Sequence, residues 1–231
     1  MHTDPLPHLH TLHELECELI QCRRCQRLTA WREQVAREKR RAFREEPYWG
    51  KPVPGFGDPQ ARLLIVGLAP GAHGSNRTGR MFTGDASGEF LYAALHRAGF
   101  ASQPRSLHRQ DDLTLQDCYI TAVGRCAPPD NKPTPQELTN CQPYLLKEIA
   151  LLPNLQGMVA LGKIAFDELR RIFALPALTF AHGAFYRFED RAQTWLLASY
   201  HPSRQNTQTG RLTAAMFDTI WQKASEELER D

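Results

Sequence analysis

Two sets of side chains in this chain have the types and spacing that chemistry requires. The first follows the apolar run Arg62-Leu-Leu-Ile-Val66. It reads Gly67-Leu-Ala-Pro-Gly71 and continues through Gly74, Asn76, Arg77, Gly79, Arg80, Gly84 and Asp85. Glycines allow sharp turns and close approach of backbone to a ligand, while the Asn, Arg and Asp side chains supply donors, acceptors and charge that a core would not need. The loop lacks the Gly-Lys-Ser/Thr ending of a phosphate-binding P-loop and the G-x-G-x-x-G of a dinucleotide fold, which sets nucleoside triphosphates and nicotinamide cofactors aside. The second set is Cys22-Arg-Arg-Cys25 together with Cys126 and Cys141. A C-x2-C can place two thiolates on one metal centre, and the two distant cysteines complete a set of four. Spacing alone suits zinc and an iron-sulfur cluster equally. Cys17 and Cys118 fall outside the pattern and are expected to be inert.

The elements that must position these groups can be read from periodicity. Apolar runs over residues 62–68, 117–123, 157–161 and 195–200 read as strands, and residues 87–98, 134–151, 163–173 and 212–229 read as helices. Such alternation implies a parallel sheet flanked by helices. Phe185-Tyr-Arg-Phe188 suggests a short antiparallel piece before the last strand. In a parallel sheet all strand C-termini point one way, so the loops 67–85, 125–135 and 201–211 should converge on one crevice. Asp85, Asn131 and His201 would then meet. One carboxylate and one imidazole suit cleavage of a glycosidic bond through a cationic, oxocarbenium-like transition state.

The chain has 231 residues, 42% of them hydrophobic, enough for one sizeable core. It is read as one domain over residues 1–231, with residues 1–16 as a flexible tail. It contains no apolar run of the ~18 residues that span a membrane and no leader pattern, so a soluble, cytoplasmic protein is expected. The net charge is only +2, yet residues 22–44 hold nine lysines and arginines against Glu33 and Glu38. Beside Trp31, Phe43, Tyr48 and Trp49 this basic segment, helical to about residue 46, suits a surface facing nucleic acid. A noncatalytic DNA-binding or redox module holding a cluster or zinc would use the same basic segment and cysteines, but would not need Asp85 and His201 at converging strand ends.

Taken together, three motif groups resemble the uracil-DNA glycosylase superfamily, and within it the type-5 family of bacterial and archaeal enzymes with a 4Fe-4S cluster. They are Gly67-Leu-Ala-Pro-Gly71 with Asn76-Arg-Thr-Gly-Arg80 and Phe82-Thr-Gly-Asp85; Arg125-Cys-Ala-Pro-Pro129 with Asn131-Lys-Pro-Thr-Pro135; and His201-Pro-Ser203 with Gln205-Asn-Thr207 and Thr209-Gly-Arg211. The resemblance spans residues 17 to 225 in consistent order. It implies an α/β fold, a three-layer α/β/α sandwich around a central four-stranded parallel sheet, with an N-terminal helical, cluster-binding segment. It implies a 4Fe-4S cluster on Cys22, Cys25, Cys126 and Cys141, with zinc as the alternative. The partner implied is double-stranded DNA carrying uracil or another damaged base, bound by a monomer.

The flipped base would stack on Phe82 in a pocket lined by Ala69, Gly71 and Ala72, with Asn131 as a polar group. Asp85 would orient water or stabilise the sugar cation, and His201 would stabilise the leaving base. Arg80, Ser203, Arg204, Gln205 and Asn206 would contact DNA. Leu68 and Ala69 lack the acidic or amide side chain that other families carry in the first motif. Thr121-Ala122 stands where those families place a uracil-reading asparagine. Both features belong to the type-5 pattern and imply a looser pocket that admits other deaminated or damaged bases.

Overall fold

The computed structural model describes residues 6–188 and 194–230. Its elements, in chain order, are α1 (Leu12–Leu19), α2 (Gln26–Glu38), β1 (Phe56–Gly57), β2 (Leu63–Gly67), α3 (Ser75–Thr78), α4 (Ala86–Arg97), β3 (Cys118–Ala122), α5 (Pro135–Ala150), β4 (Gly157–Leu161), α6 (Lys163–Ile172), β5 (Phe185–Arg187), β6 (Trp195–Ser199), α7 (Arg204–Gln208) and α8 (Ala214–Leu228). The helix starts are set by local chemistry. Thr134 and Glu137 form a capping box with Pro135 in the first turn of α5, and Asp85, Ser203 and Thr213 cap α4, α7 and α8 through their side-chain oxygens.

The sheet order is β1-β3-β2-β4-β6-β5. The four inner strands are parallel, as the sequence implies, and an antiparallel strand is added at each edge. The expected four-stranded parallel sheet is therefore the centre of a mixed six-stranded one. β5 is the antiparallel piece anticipated at residues 185–188; two-residue β1 is too short to leave a periodic signal. Alternate residues of each inner strand enter opposite layers. Leu63, Ile65, Val159 and Leu197 pack with Leu91 of α4 and Phe217 and Trp221 of α8. Leu64, Val66, Met158 and Leu196 pack with Leu145 of α5 and Phe166 and Leu169 of α6. Because both faces are covered, each inner strand reads as a continuous apolar run.

The flexible-tail expectation is corrected from residue 6 onward. Leu6, Leu9, Leu15 and Leu19 are buried with Tyr144 of α5, which ties α1 and the segment before it to the sheet domain. Leu6 and Leu9 precede α1, so of these four only Leu15 and Leu19 share a helical period, too short a signal to read from sequence. No helix among the described residues is long and apolar enough to cross a membrane.

Candidate active site and cysteine cavity

After β2 the chain crosses through α4 on one face of the sheet, and after β4 it crosses through α6 on the other. Adjacent strands whose connections leave in opposite directions open a crevice at their C-terminal ends. A cavity of about 880 Å3 lies there. It brings together Ala69, Gly71, Ala72, Phe82, Asp85, Asn131, His201, Ser203, Arg204 and Gln205, nearly all the residues singled out from sequence.

Phe82 has a left-handed backbone (φ 51°), a conformation that costs a bulky residue of order 1–3 kcal/mol and is held only where surroundings dictate it. Its ring lies against Gly67, where a Cβ would come within 2.7 Å of the ring, so glycine at the end of β2 makes room for the aromatic. The centroids of the Phe82 and His201 rings are 5.9 Å apart and tilted by 32°. Burial lowers the His201 pKa to about 4, leaving a neutral imidazole at working pH. Its ring makes no hydrogen bond among the described residues, whereas its carbonyl accepts from Asn206 Nδ2 at 2.8 Å.

Asp85 is both N-cap and crevice residue. One carboxylate oxygen accepts from Gly88 N at 3.0 Å, while Oδ2 lies over the glycine loop. Burial pushes its pKa up, opposed by the amides of Gly88 and Ser87 and the charge of Arg77. A Cβ on Gly74 would sit 1.9 Å from Oδ2, so the loop reaches the carboxylate only through glycine. Asn131 projects from two consecutive left-handed residues, Asp130 and Asn131, and is exposed at the cavity wall. Of the pair Thr121-Ala122, Ala122 faces the cavity, while Thr121 donates to buried Glu148 at 2.6 Å. Glu148 also pairs with Arg125 and so anchors the 125–135 loop to α5.

Three expectations are corrected here. Arg80 is buried, pairs with Asp111 at 2.7 Å and bonds Thr83 and Ser106, so it holds the loop together instead of meeting DNA. Asn206 commits its amide to the His201 carbonyl. The basic segment is not uniformly a phosphate surface: Arg23 pairs with Glu33, Arg27 with Glu137, and Arg32 is buried. Arg37, Arg40, Arg41 and Arg44 remain exposed, and Arg40 and Phe43 join the crevice wall. His73 and Glu89 also line it and were missed. His73 sat in view between Ala72 and Gly74, its signal masked by the glycines around it.

Cys22, Cys25, Cys126 and Cys141 line one enclosed space between α1, α2 and α5. Buried Arg32 donates to Cys126 Sγ at 2.8 Å and to the Cys22 carbonyl at 3.1 Å, and Asn140 donates to Cys25 Sγ at 3.3 Å. Arg32 Nε has no hydrogen-bond partner, and the nearby Glu33 carboxylate, which feels the Arg32 charge, is itself bonded to Arg23. A buried cation bonded to sulfur is costly beside neutral thiols and compensated beside thiolates, so the donor set fits a thiolate-bound metal group. Burial pushes the free thiols of Cys126 and Cys141 up to about 12 and about 11. Among the described residues no three His, Cys, Asp or Glu side chains are grouped to hold a single metal ion. All six cysteines are free; Cys17 is exposed and Cys118 is buried in the core.

An α/β sandwich with a crevice at its strand ends, holding an aromatic, a carboxylate and an imidazole over a glycine-rich loop, defines a small-ligand or base-binding enzyme class. Residues 54–225 match the family model described as Uracil DNA glycosylase superfamily. The chain is 59% identical to a type-5 uracil-DNA glycosylase of Thermus thermophilus, over 89% of this chain and 93% of that protein. It is 42% identical to a type-5 uracil-DNA glycosylase of Pyrobaculum aerophilum over 90% of this chain and 89% of the relative. It is 33% identical to a type-4 uracil-DNA glycosylase of Archaeoglobus fulgidus over 65% of this chain and 70% of the relative. The chain belongs to the uracil-DNA glycosylase superfamily, in its type-5 family.

Proposed function

We propose that this protein is a DNA repair glycosylase that hydrolyses the N-glycosidic bond of uracil in DNA and so starts base excision repair. The convergence of Phe82, Asp85 and His201 on one crevice of a chain from this family carries the reading. A flipped nucleotide enters the crevice, and its base stacks on Phe82 against backbone from residues 69–72. As the glycosidic bond lengthens, negative charge gathers on the base and positive charge on the sugar. Neutral His201 donates a hydrogen bond to the base carbonyl, and the Asp85 carboxylate stabilises the sugar cation and orients the attacking water. Asn131 adds a polar contact at the wall.

Leu68 and Ala69 present apolar surface in place of the acidic or amide side chain of the first motif, and Ala122 does so where a uracil-reading asparagine would stand, which extends the substrate range to other deaminated or damaged bases. The chain works as a monomer on double-stranded DNA in the cytoplasm. The deciding experiment is alkaline strand cleavage of uracil-containing duplex after incubation with the protein. Breaks at uracil support the reading, and intact uracil strands that are nevertheless bound indicate a noncatalytic binder.

Cys22, Cys25, Cys126 and Cys141 would hold a 4Fe-4S cluster, with zinc as the alternative, and Arg32 would balance its charge. The cluster's role here is to bind α1, α2 and the 125–135 loop into one unit, and no step of cleavage passes through it.

Two results follow. Affinity for duplex should fall as salt rises, and charge reversal at Arg41 and Arg44 should weaken uracil-containing and normal duplex alike, because phosphate contacts carry no sequence information. Selective loss for uracil duplex would assign these residues to the pocket. Gly74→Ala should displace Asp85 and slow single-turnover cleavage on the order of a hundredfold, with duplex affinity retained. An unchanged rate would mean that the carboxylate position is not critical.

A further inference from the structure

The geometry points to His73 as a second imidazole donor of the crevice, one that grips a phosphate oxygen of the flipped nucleotide together with the guanidinium of Arg40. This rests on the reading above that a flipped nucleotide enters the crevice. Three observations carry it. Lys39 ends α2 with a left-handed residue (φ 54°), and the chain turns so that Arg40 N donates to Tyr48 Oη at 3.3 Å. Tyr48 Oη in turn lies 3.0 Å from His73 Nδ1. Tyr48 Oη accepts from Arg40 N, and in the arrangement proposed it gives its own proton to Nδ1, so that the ring carries its proton on Nε2. That second nitrogen has no partner among the described residues, and His73 lines the cavity beside Arg40.

The rest of the residue is fixed. Arg77, stacked 3.9 Å over the Phe43 ring, donates to the His73 carbonyl at 2.8 Å. A ring held at Nδ1 by the phenol, on a backbone held by an arginine, is a preorganised donor. Burial, then the charges of Arg40 and Arg77, lower the His73 pKa and keep the ring neutral. The exposed Arg40 cation beside a neutral imidazole donor favours an anionic oxygen over a neutral carbonyl at this wall, whereas Arg77 is paired with Glu46 and stays behind it. Because Arg40 supplies both the start of the relay and a charge at the wall, the same turn that shapes the basic segment also orients the imidazole.

The test uses affinity for a duplex carrying 2′-fluoro-uridine, whose fluorine opposes the sugar cation and prevents turnover. His73→Ala should bind this duplex on the order of tenfold more weakly. Tyr48→Phe, which releases Nδ1, should lose several-fold, and His73→Gln, which keeps an N–H donor, should recover most of the loss. Replacing the phosphate 5′ or 3′ of the uridine by a neutral methylphosphonate should weaken the parent protein at one of the two positions and leave His73→Ala indifferent there. If His73→Ala remains as sensitive to methylphosphonate as the parent, the clamp is wrong. If its insensitivity is instead to 2-thio or 4-thio substitution of the uracil, the imidazole reads the base carbonyl and the phosphate assignment is overturned. Should His73→Ala fail to fold, Tyr48→Phe and His73→Gln carry the same comparison. Release of uracil from unmodified duplex by the parent protein is measured separately, so loss of the clamp and loss of the glycosylase reading give different results.

Discussion

Asp85→Asn and His201→Ala should each slow single-turnover release of uracil on the order of a hundredfold, while duplex affinity changes only several-fold. In the mechanism proposed above, both groups meet charge that exists only as the glycosidic bond breaks, so removing either should raise the barrier without weakening ground-state binding. The two contributions separate on a pH profile. Asp85 acts as a carboxylate, and burial raises its pKa above the ordinary aspartate value. The rate should therefore fall as pH drops through that raised value, and Asp85→Asn should abolish this acid limb. His201, held at about 4, is already neutral near pH 6.5, so no limb should appear there. A parent-like rate in folded Asp85→Asn would reduce Asp85 to the cap of α4. Water would then have to be held by Asn131 or by backbone carbonyls.

The inner sheet and the crevice were legible because their signals are local. β2, β3, β4 and β6 are buried on both faces and therefore appear as uninterrupted apolar runs. Parallel strands bring loops 67–85, 125–135 and 201–211 to one end, so the sequence alone implies that Asp85, Asn131 and His201 meet. Roles decided by long-range pairing were not legible. Arg80 looks like a ligand contact in sequence, yet Asp111, thirty-one residues later, neutralises it. Arg27 and Arg32 likewise look like phosphate contacts, and each is committed to a partner about a hundred residues away, Glu137 and Cys126. Asn206 belongs to the same class, because only a folded α7 turns its amide onto the His201 carbonyl. Composition counts charges; it does not tell which are already paired.

The largest structural effect should come from the cysteine cavity. Aerobically purified protein should be brown and contain iron and sulfide in equal amounts, and colourless protein with stoichiometric zinc would overturn the cluster assignment. Cys25→Ser should lose most of the iron and lower the thermal midpoint and solubility together, whereas Cys17→Ser, at an exposed thiol 3.7 Å from His13 Nε2, should keep its iron. The reason lies in Arg32. Arg32 is 2% exposed, its guanidinium donates to Cys126 Sγ and the Cys22 carbonyl, and its backbone carbonyl accepts from Asn76 Nδ2 at 3.3 Å. Asn76 also donates to Ala72 O at 3.4 Å, so one side chain connects the cysteine cavity to the loop that lines the crevice. Without thiolates the cation is buried beside neutral sulfur, a situation costing several kcal/mol, and it is relieved when α2 moves away. Loss of the metal group should therefore loosen α2 and the glycine loop together. In hydrogen exchange, amides of residues 26–38 and 72–79 should lose protection as a unit in Cys25→Ser, while β4 and β6 stay protected. Unchanged protection at 72–79 would show that the link through Arg32 and Asn76 carries no coupling.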